Sequence, residues 1–270
     1  MRRAFLAFLL IGCGSQGSFG GPDGAADTGA DSSSDGGASE AATDGGPSFG
    51  DATTKDGGGC TTLNIGILGN PGSNPSSNFQ QWLVSAGTSV TRIQTNATDP
   101  AITASTLAPF DVVILDWLAR DYSPAEATVL QNRINAGGGL VSMTGYDNTI
   151  NDFRANVLLA PLSVAYGGAL LNGPVTNFAT HPITTGLTSV TFAGGYAVSD
   201  LGGTGSTRTA IAFLSSPVSY AVEMGTGRAF VWGDEWIEFD SEWGTLPQIE
   251  ELWVNVFACV APQGCPLQPQ

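Results

Sequence analysis

The chain predicts an α/β fold for residues 60–270: a doubly wound domain with a mostly parallel sheet and an antiparallel, β-rich C-terminal extension. Three observations lead there. Short runs of Ile, Val and Leu at Leu63 to Leu68, Asp111 to Leu115 and Gly139 to Met143 are bounded by Gly, Pro or Asp, as in strands buried on both faces. Helix signals fall between those runs. After Pro161 the alternation gives way to β-rich segments separated by turns.

Taken in order, the first strand leads into Gly69-Asn70-Pro71-Gly72, and Asn78 to Ala86 supports a helix. The strand from Asp111 follows. Ser123-Pro124-Ala125-Glu126 then opens a second helix, with Ser as N-cap, Pro at the first helical position and Glu at the third. That helix stops at Gly137-Gly138-Gly139, where the next strand begins, so helix, glycine stop and buried strand form half of a crossover unit. Beyond Pro161, strands are expected near Val190 to Val198, Thr209 to Leu214, Val218 to Met224 and Arg228 to Trp232. Gly202-Gly203 and Gly225-Thr226-Gly227 mark turns among them, and the last three read as a meander with at least one antiparallel pair. A final helix covers Ile249 to Val260, with Leu252, Val256 and Cys259 on one face.

The N-terminal part has no such pattern. Arg2 and Arg3 precede an apolar stretch, Ala4 to Ile11, too short to cross a bilayer as a permanent helix. With Leu10-Ile11-Gly12-Cys13 the segment resembles a bacterial lipoprotein signal, residues 1–12. That resemblance implies cleavage before Cys13 and a lipid on its sulfur, so the partner would be a bilayer. An ordinary secretory signal with an incidental cysteine is the other reading. Either way the chain is expected to be exported, and the lipid reading places it on the cell envelope, at the outer membrane or cell surface. From Cys13 to residue 59 the chain is almost entirely Gly, Ala, Ser, Asp and Thr, with Phe19 and Phe49 as its only aromatics, too little apolar surface to fold. It reads as an acidic tether that would hold the domain roughly 35 to 40 Å from the lipid.

Net charge is −15: the tether carries −7, Arg2 and Arg3 contribute +2, and the domain carries −10. This acidity argues against nucleic acid and against adhesion to anionic membranes, and leaves cations or partners with basic patches. If Cys13 carries lipid, Cys60, Cys259 and Cys265 remain. Cys259 reads as a small core residue of the last helix. Cys60 and Cys265 bracket the domain, and their bridge is preferred to one between Cys60 and Cys259.

Over Thr62 to Val260 the chain resembles the class I glutamine-amidotransferase-like superfamily, particularly its trehalose-utilisation-type branch. The residues that carry this are Gly69-Asn70-Pro71-Gly72, Phe110 to Asp116, Ala136 to Val141, His181-Pro182-Ile183-Thr184 with Gly186-Leu187, and Gly227 to Trp232. The resemblance implies a flavodoxin-like sheet. Catalytic members carry a cysteine on the turn where this chain has Ser142-Met143-Thr144-Gly145-Tyr146, and a histidine and glutamate where it has Gly233-Asp234-Glu235-Trp236. Without thiol and base, glutamine hydrolysis is not expected, and a Ser142 or Thr144 hydroxyl served by His181 lacks an acid partner.

The densest polar stretch is Gly233 to Trp243, directly after a buried strand. In a parallel sheet it would sit at the carboxyl edge, where α/β folds place their sites. Three readings compete. Asp234, Glu235, Asp240 and Glu242 beside Trp236 and Trp243 suit a carbohydrate site, as binder or as hydrolase. Calcium would use the same oxygens, although the spacing is not that of an EF-hand loop. Alternatively Asp234 and Asp240 cap the backbone, the tryptophans close the core and the glutamates face solvent. Asp116 and Trp117, and Tyr146, Asp147 and Asn148, would complete the same rim. The expectation is a non-catalytic domain that binds a carbohydrate or protein partner or serves structure, with no cofactor except calcium in one reading.

Overall fold

β1 (Asn64–Leu68) leads through α1 (Ser77–Ser85) to β2 (Ser89–Ile93), which pairs parallel to it on its outer side. A short α2 (Ala104–Leu107) returns the chain to β3 (Val112–Leu115) on the other side of β1, and α3 (Pro124–Asn135) leads on to β4 (Gly139–Met143), parallel to β3. Strand order therefore reverses between β1 and β3, the place where open α/β sheets form a crevice. This computed structural model describes residues 62–71, 76–145, 149–239, 242–243 and 247–262, all within the unit Ala52–Gln270. Cys13, the tether, Cys60, Cys265, Tyr146, Asp147, Asn148 and Asp240 lie outside the described residues.

The expected cap of α3 is present in both directions. Glu126 N–H donates to Ser123 Oγ at 3.3 Å, and Ser123 N–H donates to Glu126 Oε2 at 2.9 Å. Glu126 does more than cap: its Oε1 accepts from Arg120 Nη2 at 2.5 Å and from Ile102 N–H at 2.9 Å, which ties α2 to α3. Burial alone would raise this carboxyl, but Arg120 and the backbone donors bring it down to about 2.

After α4 (Thr149–Leu159) come β5 (Val164–Asn172), β6 (Asn177–Phe178), β7 (Ala193–Asp200), β8 (Thr207–Phe213), β9 (Pro217–Met224), β10 (Gly227–Trp232) and α5 (Pro247–Val260). The meander is β8, β9 and β10, and it extends the sheet to eight strands in the order β2-β1-β3-β4-β10-β9-β8-β6. β10 lies between the two halves, parallel to β4 and antiparallel to β9. The strand expected near Val190 to Val198 needs correction. It begins at Ala193, and it pairs with β5 in a separate two-stranded ribbon because the register of β9 is already taken by β8 and β10. The ribbon is tied to the sheet where Tyr196 N–H donates to Gly233 O at 2.7 Å.

Alternation along the strands fills both faces. Val113, Leu115, Leu140 and Val231 join Leu130 and Ile134 of α3 and Leu158 of α4 in one cluster. Their neighbours Val112, Ile114, Val141, Phe230 and Trp232 are equally buried. α1 and α5 meet through Phe79 and Trp253, whose ring centroids are 4.3 Å apart. Cys259 is buried on α5 as expected, but it is disulfide-bonded, with its partner outside the described residues. The preference for bridges that leave Cys259 out is corrected. No helix among the described residues is long and apolar enough to cross a membrane.

Candidate functional site

β1, β3, β4 and β10 are mutually parallel, so their carboxyl ends meet at one edge of the sheet. There the backbones beyond β1 and β3 are zipped together. Asp116 N–H donates to Leu68 O, and Asn70 N–H to Trp117 O, both at 3.0 Å. Gly69 allows this: its φ is 110°, and a Cβ in its place would overlap the carbonyl of Asp116. Trp117 also sits in the left-handed region, with φ 31°.

The chain leaving β10 turns back over this edge. Asp234 caps a single 3-10 turn, Glu235–Glu238, accepting from Trp236 N–H at 3.1 Å through one oxygen and from Ala193 N–H at 2.6 Å through the other. Trp253 Nε1 of α5 donates to Ile237 O at 3.0 Å and fixes the turn from the far side. Because a 3-10 turn has three residues per turn, Glu235 and Glu238 point the same way. The Glu235 carboxylate rests on Gly145, where any Cβ would overlap it. Glu238 meets Asp116, and Arg92 Nη1 donates to Asp116 Oδ2 at 2.6 Å. Arg92 also donates to Ser76 Oγ at 3.1 Å.

Four carboxyl groups are thus enclosed: Asp116, Asp234, Glu235 and Glu238 are 1, 1, 2 and 0 % exposed. Asp116 Oδ1 and both Glu238 oxygens have no hydrogen-bond partner among the described residues. Burial pushes Glu238 well above the usual carboxyl range, the neighbouring Asp116 pushes it further, and Arg92 offsets only part. Asp116 is raised by burial despite Arg92. Asp234 is pushed up to about 7 by burial, against its two backbone donors and with the charge of Glu242 adding to the rise.

Asp234 and Glu235 lie on the turn whose Glu238 meets Asp116. The fold does not expose them, so the picture of glutamates in solvent is corrected. So is the pair of carboxylates facing an open cleft, for Asp234 and Glu235; Glu242 is half-buried, and Asp240 lies outside the described residues. The tryptophans are half-buried and engaged: Trp243 lies 5.5 Å from Phe79 and 5.4 Å from Trp82, and Trp236 lies 5.4 Å from Phe239. Glu238, Arg92 and Gly145 were not singled out in the sequence. The three-residue spacing of Glu235 and Glu238 was the one available signal, and it speaks only once the turn is known to be 3-10.

Ser142 within β4 and Thr144 just beyond it are buried, and Ser142 Oγ accepts from Tyr166 O–H at 2.8 Å. His181 caps its own 3-10 turn, Pro182–Thr184, with Nδ1 accepting from Ile183 N–H at 3.2 Å, and burial lowers its pKa. Among the described residues no three Asp, Glu, His or Cys side chains are placed to hold a metal ion.

No family model and no curated protein matches the sequence. Solved structures do resemble the fold. The mmIFT52 N-terminal domain is similar at TM-score 0.57 and 15 % identity, over 73 % of this chain and 95 % of that one. A cytoplasmic protein from Salmonella typhimurium LT2 is similar at TM-score 0.55 and 14 % identity, over 74 % of this chain and all of that one. A ThuA-like protein from Parabacteroides merdae is also found, at TM-score 0.48 and 13 % identity, over 77 % of this chain and 96 % of that one. At such identities the first two likenesses show the fold alone: a doubly wound α/β domain with a flavodoxin-like parallel half and an antiparallel extension.

Proposed function

We propose that the protein is a non-catalytic module of the bacterial cell envelope, carried on an acylated Cys13 by the tether and serving through a carbohydrate or protein partner, or as structure. The observation that supports this reading is the sealed edge. Of the acids that a hydrolase would present, Asp234 and Glu235 are enclosed, Glu235 folded onto Gly145, and the Ser142 and Thr144 hydroxyls are buried. A nucleophile without an aligned base, and an acid pair without access to water, cannot perform acyl or glycosyl transfer.

The test is to incubate the protein with glutamine and with oligosaccharides and cell-wall fragments, following ammonia, reducing ends and melting temperature together. The reading expects no turnover, and a bound ligand would raise the melting temperature by mass action. Turnover abolished by Glu235→Gln would overturn it in favour of the hydrolase. The anchor has its own test: Cys13→Ser should shift the protein out of the membrane fraction, and unchanged membrane retention would refute lipidation.

A further inference from the structure

Residues 60–270 contain six arginines and no lysine, against sixteen aspartates and glutamates. All six arginines are used inside the chain. Arg92 pairs with Asp116, Arg120 with Glu126, Arg154 with Asp121, Arg208 with Asp200 and Arg228 with Glu223, while Arg133 donates to the carbonyl of Phe110. Glu250, exposed on α5, has none of them as a partner. Its Oε1 accepts from Trp82 Nε1 of α1 at 2.8 Å, and its other oxygen accepts from no group among the described residues. An indole N–H lies in the plane of its ring, so this bond holds the carboxylate at the rim of Trp82 and leaves the ring faces to other contacts.

Trp243 stands 5.4 Å from Trp82 and is inclined to it by 59°, so two half-buried indoles meet at a corner on the surface. The corner is rigidly backed. Phe79 lies 5.5 Å behind Trp243, and Trp253 lies 4.3 Å from Phe79 in the core. A cation over an indole face is drawn to the negative face of the ring, and a guanidinium stacked there can also donate to a carboxylate held at the rim. We propose that the corner formed by Trp82 and Trp243, with Glu250 at its rim, docks an arginine side chain of a basic protein partner. Charge complementarity selects this occupant: the domain carries −10, its own cations are spent elsewhere, and its field attracts a basic surface from a distance. Tryptophan and arginine are also the side chains that most often concentrate binding energy in such contacts. This rests on the reading that the domain serves through a partner, and it chooses the protein over the carbohydrate.

The experiment follows the indole N–H signals of the full chain by NMR while a tetra-arginine peptide is added, with a tetraserine peptide and maltohexaose as uncharged comparisons. The Trp82 signal is assigned by its loss in Trp82→Phe. It should shift and saturate with the arginine peptide alone. Trp82→Leu, which removes the ring face, should weaken binding about 2–5-fold. Glu250→Gln changes an exposed side chain, should weaken binding by a similar factor of about 2–5, and serves if the tryptophan variant fails to fold. Glu223→Gln on β9 removes the same charge from another element and should leave the affinity close to that of the wild type. A Trp82 signal that the arginine peptide does not move would overturn the proposal, as would equal losses from Glu250→Gln and Glu223→Gln, which mean attraction to the overall charge without a site. A Trp82 signal moved as strongly by maltohexaose would assign the corner to a sugar and overturn the basic partner. Turnover of glutamine or oligosaccharide would defeat the non-catalytic reading separately, because it leaves these indole shifts as they are.

Discussion

Replacing Arg92 by Ala removes the guanidinium bonded to the enclosed Asp116 carboxyl group. Its Nη1 lies 2.6 Å from Asp116 Oδ2, with the two side chains 14 % and 0 % exposed. Breaking a buried pair from one side costs about 3–5 kcal/mol, because the remaining charge has neither water nor partner. Asp116 can recover part of this by binding a proton, at about 1.4 kcal/mol for each unit its pKa rises. The sign follows: a carboxyl whose folded pKa is raised contributes stability that is full below its unfolded value and is lost as pH climbs through the folded one. Arg92→Ala should therefore cost about 3–5 kcal/mol in urea unfolding at pH 8 and distinctly less at pH 5. For a domain of this size that is a fall in melting temperature of about 6–20 °C at the higher pH. Arg92→Lys, which keeps the charge but loses the fork, should fall between. A loss below about 1 kcal/mol at both pH values would place the pair among ordinary surface ion pairs and refute the argument.

Three further perturbations test other contacts. Asp234, raised to about 7, should make the wild type lose stability between pH 4 and 7, and Asp234→Asn should flatten melting curves across that range; a parallel curve would show that Asp234 does not titrate there. Gly145→Ala forces the Glu235 carboxylate from its seat and should cost about 1–3 kcal/mol, but much less in a Glu235→Ala background, so a double-mutant cycle without coupling would sink this packing claim. Arg120→Ala should cost about 3–5 kcal/mol at neutral pH by stranding Glu126. Since Glu126 is lowered to about 2, its contribution is present above the ordinary carboxyl range and lost as pH falls through 2; acid unfolding of Arg120→Ala should begin at higher pH, and an unshifted midpoint would contradict it.

What could be read from the sequence was what short-range chemistry dictates. The runs at β1, β3 and β4 are apolar on both faces, and Ser123-Pro124-Ala125-Glu126 closes its cap within four residues, so both announced themselves. β2 did not, because Ser89 to Ile93 is an edge strand with a polar, partly exposed sequence. α4 opens with Thr149-Ile150-Asn151-Asp152, residues that favour turns or strands, and it was missed. Asp116, Asp234 and Glu235 were legible as a group because fold topology brings strand ends together. Their burial was not, since it depends on a turn that folds inward rather than outward. Arg92 comes from a different strand, 24 residues before Asp116, and nothing local in its sequence reports that encounter.

β10 has a consequence for how the chain is made. It is the last strand in sequence, Gly227–Trp232, yet it occupies the middle of the sheet, joining β4 to β9. A nascent chain that has produced β1 to β4 therefore holds an unfinished parallel half whose inner edge, β4, waits for a partner more than 80 residues downstream. The fold cannot be built progressively from its N-terminus; it closes in one late, long-range step, which makes assembly slow and favours an unfolded chain until synthesis is nearly complete. A chain ending before Gly227 would expose β4 and β9 as two open edges, and its expected fate is aggregation rather than a smaller stable domain.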